Sequence, residues 1–193
     1  MQVKGENTFW FDLTGKQQFE EASVKREGSG LGFLGIFGSK KLTIDAGAGD
    51  DVITVKKAGA DKYEIDINGQ KFILSAEEMK NLTLKGGEGN DTIIIDDSVD
   101  IAINVDGGAG DDTIVNYANG TKIDGGDGDD LIVSVAHFAE IMGGAGRDDI
   151  YVYGMGNEIY GDNKKNSFLD LLFGTHDEAD NIHAEGFFNS VKD

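Results

Sequence analysis

The 193-residue chain holds 29 glycines, about twice the usual share, and neither proline nor cysteine, which excludes a disulfide framework and any thiolate metal site. Its 36 acidic and 17 basic residues leave a formal charge of −19, which repels a phosphate backbone and so excludes nucleic acid as a charge-bound partner. Because 39% of the residues are hydrophobic, 11 of them Phe, the glycines belong to a folded pattern and not to a disordered linker.

In chain order, residues 1–41 carry 6 basic and 5 acidic side chains. They lack the basic end and apolar run of a cleavable signal peptide. Phe9-Trp10-Phe11, a helix expected over 16–26 and the glycine-rich 28–38 read as an N-terminal cap. Gly30-Leu31-Gly32-Phe33-Leu34-Gly35 spells G-x-G-x-x-G, but no βαβ unit surrounds it, so it is not read as a nucleotide site. The longest apolar run, 31–37, is far short of the roughly 20 residues of a membrane-spanning helix. No transmembrane segment is expected.

The string AGAGDDVIT at 46–54 comes next, followed by two alternating runs, 62–67 and 70–74, that flank Asn68-Gly69. That pair is a strong hairpin signal. Ser75 and Glu78 then form a capping box for a short helix ending near Asn81. Residues 55–81 read as a lateral insertion or, preferably, as one long distorted coil.

Four further nonamers follow: GGEGNDTII at 86–94, GGAGDDTIV at 107–115, GGDGDDLIV at 125–133 and GGAGRDDIY at 143–151. Counted from the first string, the starts are 40, 21, 18 and 18 residues apart. Beneath them runs a nine-residue aliphatic period, Ile114, Ile123, Ile132, Ile141, Ile150 and Ile159, which Phe168 would continue. Only alternate nonamers carry the glycine-aspartate loop, so 18 residues per coil and one equipped edge are expected. The three extra residues between the 86 and 107 loops fit a bulge at 96–104 on the other edge. Residues 86–151 hold 15 acidic and 2 basic side chains. The sixth-position aspartates Asp51, Asp91, Asp112, Asp130 and Asp148 would stack about 4.8 Å apart, and such a ladder needs cations between its carboxylates. An all-oxygen, acidic, glycine-turned site suits calcium.

These strings resemble the RTX-type (haemolysin-type) calcium-binding nonapeptide repeats, G-G-x-G-x-D-x-U-x with U aliphatic. The resemblance implies an all-β fold, a right-handed parallel β-roll over 42–168, with an N-terminal cap at 1–41 and a C-terminal cap or export segment at 169–193. It implies about four Ca2+ ions in one row. The candidate ligating loops comprise the five aspartates together with Gly47, Gly87, Gly89, Gly108, Gly110, Gly126, Gly128, Gly144 and Gly146. It also implies a bacterial secreted protein that folds on calcium outside the cell, in a structural, adhesive or binding role.

Two departures stand out: Arg147 in the fifth position of the last loop, and a degenerate turn, YGDNKKN, at 160–166 offering Asp162, Asn163 and Asn166. Ser167–Phe173, with Phe187 and Phe188 behind it, reads as the C-terminal cover. The cluster from His176 to Glu185, holding Asp177, Glu178, Asp180 and His183, matches no hydrolase spacing. It reads as a polar surface loop, and the isolated His137, on a half-coil without the glycine-aspartate loop, reads as simply exposed or packed. A translocated effector or toxin fragment is the alternative function, and an enzyme using the His176–Glu185 cluster a weaker one.

Overall fold

A computed structural model describes residues 23–27, 41–162 and 180–192. The chain is all-β, with one four-residue helix among the described residues. The strands are β1 (Ser23–Glu27), β2 (Lys41–Ala48), β3 (Val52–Gly59), β4 (Lys62–Ile67) and β5 (Gln70–Ser75), followed by α1 (Ala76–Met79). Then come β6 (Leu82–Glu88), β7 (Thr92–Ile95), β8 (Asn104–Ala109), β9 (Thr113–Asn116), β10 (Lys122–Asp127) and β11 (Leu131–Ser134). The series closes with β12 (Glu140–Ala145), β13 (Asp149–Tyr153), β14 (Glu158–Asp162), β15 (Asn181–Glu185) and β16 (Ser190–Lys192).

From β6 onward consecutive strands alternate between two eight-stranded sheets, ordered β1-β2-β6-β8-β10-β12-β14-β16 and β15-β13-β11-β9-β7-β3-β4-β5. The repeated pairs are parallel and in register. Ile123 faces Val105 on one side and Ile141 on the other, and Ile132 faces Ile114 and Ile150. The nine-residue aliphatic period therefore sends alternate isoleucines into opposite sheets, all pointing inward and essentially unexposed. Each such burial contributes about 1.5–3 kcal/mol.

The first coil departs from the repeat. β3, β4 and β5 form an antiparallel meander that continues the second sheet, with Asn68-Gly69 joining β4 to β5. α1 follows with the Ser75–Glu78 capping box in place. The meander removes the first coil's sheet edge from solvent, and Tyr63 on it is buried, its hydroxyl donating to Asp100. On the first sheet β1 does the same, antiparallel to β2. Residues 23–26, expected as helix, are thus strand, because the free backbone of β2 supplies hydrogen bonds that override weak local helix propensity. The Gly30–Gly35 string and Phe9–Phe11 lie outside the described residues.

A second correction concerns the other end. The roll was expected to stop at 168, but β15 pairs with β13 and β16 with β14, both parallel. Ile182 and Val191 take the aliphatic positions facing Ile150 and Ile159. Phe168 and the stretch 167–173 lie outside the described residues. Phe187 and Phe188 cover no core: they are 73% and 91% exposed on the turn between β15 and β16.

Candidate metal centre

The loops leading from the first sheet to the second form one edge of the molecule. The glycines expected to shape them have left-handed backbone, with φ between 113° and 122° at Gly47, Gly87, Gly108, Gly126 and Gly144 and between 116° and 134° at Gly89, Gly110, Gly128 and Gly146. At Gly126 a Cβ would also collide with the carbonyl oxygen of Gly108 in the preceding coil. From Gly87 onward these positions therefore require glycine for conformation and for close stacking alike.

The five aspartates are brought into one column, each 5% exposed or less. Their Oδ1 atoms are satisfied by a ladder that runs up the edge. The Asp51 N–H donates to Asp91 Oδ1 at 2.8 Å, Asp91 to Asp112 at 2.7 Å, Asp112 to Asp130 at 2.8 Å and Asp130 to Asp148 at 2.9 Å. A second ladder, through the fifth loop position, runs the opposite way: Asn90 N–H to Asp50, Asp111 to Asn90, Asp129 to Asp111 and Arg147 to Asp129. Arg147 enters this ladder through its backbone, while its guanidinium lies 3.4 Å from Asp129 Oδ2.

The other carboxylate oxygens are differently placed. Oδ2 of Asp51, Asp91, Asp112 and Asp130 is buried and has no hydrogen-bond partner. A buried, unpaired carboxylate oxygen costs several kcal/mol unless a cation compensates it. Burial is the main reason that Asp91 and Asp130 are pushed up to about 7 and Asp112 to about 6 in the metal-free chain. The backbone N–H that each accepts opposes this rise, and neighbouring aspartates add to it.

What these oxygens face is the first loop glycine, which is not among the candidate ligating residues named from the sequence. A Cβ on Gly86 would lie 3.0 Å from Asp91 Cγ and closer still to its Oδ2 and to the Gly107 carbonyl oxygen. The same convergence recurs at Gly107 (Asp112 Oδ2, Gly125 carbonyl), at Gly125 (Asp130 Oδ2, Gly143 carbonyl) and at Gly143 (Asp148 Oδ2, Gly161 carbonyl). Four cradles result, each uniting a carboxylate from one coil with a carbonyl from the next. The donors are all oxygen, with net negative charge and neither imidazole nor sulfur, so the residues fit a hard divalent cation such as calcium.

The ladder contains a sixth aspartate that the spacing concealed. Asp148 N–H donates to Asp180 Oδ1 at 2.9 Å, and Gly161 stands to Asp180 Oδ2 as Gly86 stands to Asp91. In the degenerate turn, Gly161 therefore takes the first loop position, and its aspartate is Asp180, 32 residues after Asp148 instead of 18. Asn163 and Asn166 lie outside the described residues. The described members of the cluster from His176 to Glu185 part company. Asp180 joins the loop edge, whereas His183 lies on the outer sheet face, 3.0 Å from Glu185 and against Tyr151 and Tyr153. His176, Asp177 and Glu178 lie outside the described residues.

The opposite edge has another chemistry. Its turns 116–121, 134–139, 153–157 and 186–189 contain no charged residue. Neutral amides replace the aspartates. Asn157, fully buried, accepts from the Ala139 N–H and donates to the Ala136 carbonyl. Asn189 accepts in turn from the Asn157 N–H. His137 belongs to this ladder, receiving the Met155 N–H on Nδ1. The 96–103 turn holds the three extra residues of its coil, with Val99 and Ile103 buried beneath it.

A family model for the RTX calcium-binding nonapeptide repeat matches in four copies, at residues 43–55, 83–95, 104–115 and 122–134. No curated protein and no solved structure matches the chain significantly. The 143–148 loop and Asp180 extend the same geometry beyond the matched residues. The chain thus carries the RTX calcium-binding nonapeptide repeat that its loops resemble.

Proposed function

We propose that the chain is a calcium-loaded β-roll of a secreted bacterial protein, with the ions in a single row along the glycine-aspartate edge. The observation that carries this reading is the column of buried Oδ2 atoms of Asp91, Asp112 and Asp130, which have no hydrogen bonds and are each aimed at a space that only glycine leaves open. Asp91, Asp112, Asp130 and Asp148 would hold about four ions, with the carbonyls of Gly107, Gly125, Gly143 and Gly161 completing the oxygen set. Calcium supplies the positive charge that lets the stacked carboxylates stay ionised inside the fold.

The function follows from that requirement. Residues 86–151 hold 15 acidic side chains against 2 basic ones, and without cations their mutual repulsion opposes closure of the coils. Extracellular calcium modules bind at about 10⁻⁴–10⁻³ M. A roll of this affinity stays loose in a calcium-poor cell interior and closes outside, coupling folding to export. Among the described residues no helix is long and apolar enough to cross a membrane. The closed roll would serve in a structural, adhesive or binding role.

Far-ultraviolet circular dichroism with and without chelator tests the coupling. The β signal should collapse in chelator and return with millimolar calcium but not with sodium. An unchanged spectrum and melting temperature in excess chelator would rule the coupling out.

A further inference from the structure

The 46–54 string resembles its successors in sequence, and the family model matches it as a calcium-binding copy at 43–55. Its geometry differs at both sides of the carboxylate. In the register of β2 and β6, Asp45 faces Lys85 and Gly47 faces Gly87, so Ala46 stands where Gly86 stands in the next coil. At Gly86 the space of a Cβ is the space on which Asp91 Oδ2 and the Gly107 carbonyl converge. At Ala46 that Cβ exists. It is 1% exposed and packed with the hydrophobic core. A methyl group offers no lone pair, and it occupies the volume that an ion and its ligands would need.

The outer side is closed as well. Every later aspartate accepts, on Oδ1, the backbone N–H of the aspartate one coil earlier. Among the described residues no coil precedes Asp51, since β1 and β4 run antiparallel to β2 and β3. Asn68, at the tip of the β4–β5 hairpin with φ 51°, fills that role with its side chain. Its Nδ2 donates to Asp51 Oδ1, its Oδ1 accepts the Val52 N–H at 2.9 Å, and its own N–H donates to the Val52 carbonyl.

We infer that the 46–51 loop is the closed end of the row and not one of its calcium sites: the Ala46 methyl fills the cradle and Asn68 substitutes for the missing coil. The row then begins at Gly86, and Asp51 contributes a ladder rung to the fold without an ion of its own: its Oδ2 is buried without a hydrogen bond like those of Asp91, Asp112 and Asp130, but its loop has the methyl of Ala46 where theirs have glycine. This rests on the calcium reading of the other loops, and the test separates the two.

Native mass spectrometry of the full chain at calcium concentrations that saturate it gives the ion count per molecule. Asp51→Asn should leave that count unchanged, while Asp112→Asn should lower it. Ala46→Gly should raise the count by one, and adding Asp51→Asn to Ala46→Gly should remove that ion again. If Asp51→Asn loses an ion as Asp112→Asn does, or if folded Ala46→Gly gains none, the inference fails and the calcium reading stands. If the unsubstituted chain takes up no calcium, the calcium reading fails and the inference with it. Should Ala46→Gly not fold, the comparison of Asp51→Asn with Asp112→Asn still decides.

Discussion

Gly107→Ala tests the cradle at its centre. A Cβ there would lie 3.1 Å from Asp112 Cγ, and closer than that to Asp112 Oδ2 and the Gly125 carbonyl oxygen. These are a buried carboxylate and a backbone atom in the neighbouring coil, neither of which can swing aside as a flexible side-chain tip would. Overpacking of this kind costs about 1–3 kcal/mol. In calcium at about 100 times its dissociation constant, losing one site removes a further ~2.7 kcal/mol of linkage stabilisation. For a chain of this size each kcal/mol shifts the melting temperature by about 2–4 °C. Gly107→Ala should therefore lower the melting point by about 7–23 °C in saturating calcium, and by a clearly smaller amount at low calcium, where refolded material persists. Gly49→Ala is the control: its φ is +99° but nothing lies within 4 Å of a Cβ there. It should cost only the conformational penalty, about 1–2 kcal/mol, and keep the full ion count. Differential scanning calorimetry at several calcium concentrations reads both. A Gly107→Ala chain with undiminished ion count and a melting point like that of Gly49→Ala would refute the assignment of the first loop position to the cation.

Three further outcomes are expected. In the metal-free chain Asp91, Asp112 and Asp130 hold their protons up to about pH 6–7, against 3.8 for a free aspartate. The folded form thus binds more protons than the unfolded one between those limits, and its stability falls as pH rises from about 4 to 7. Calcium reverses the sign, because it requires the ionised form; between about pH 4.5 and 6, where protonation relieves the repulsion and the calcium-free fold survives, melting points should fall with pH without calcium and rise with it, and parallel slopes would contradict the burial of these groups. Ile132→Ala, at a fully buried position, should cost about 2–5 kcal/mol in calcium-loaded denaturant titrations without changing the ion count. Asn157→Ala strips partners from the Ala139 N–H and the Ala136 carbonyl. It should cost about 1–3 kcal/mol for each group left buried, with the same loss at low and saturating calcium.

The loop edge was legible because the physics that forms it is local. Positive φ demands glycine, stacked carboxylates demand aspartate, and an inward aliphatic follows at a fixed offset, so each coil writes the same string. Asn68-Gly69 and Ser75–Glu78 were legible for the same reason, as a turn and a cap specified within four residues. Asp180 was not, since its partner loop position, Gly161, lies 19 residues before it and only spatial stacking shows that they belong together. The role of the first glycine was hidden because its need is steric: nothing about Gly107 itself reveals the Asp112 carboxylate beneath it. Residues 23–26 misled because strand formation there comes from the exposed edge of β2, not from their own propensity. The significance of Ala46, one methyl away from its counterparts, emerges only once Asp91 Oδ2 is seen in the corresponding space.

The most direct measurement is a crystal structure of the calcium-loaded protein with anomalous difference density. Four peaks are expected in one line, beside Oδ2 of Asp91, Asp112, Asp130 and Asp148 and within ligand distance of the Gly107, Gly125, Gly143 and Gly161 carbonyls. Peaks elsewhere on the molecule, or none along this edge while the aspartate ladder remains intact, would contradict the account.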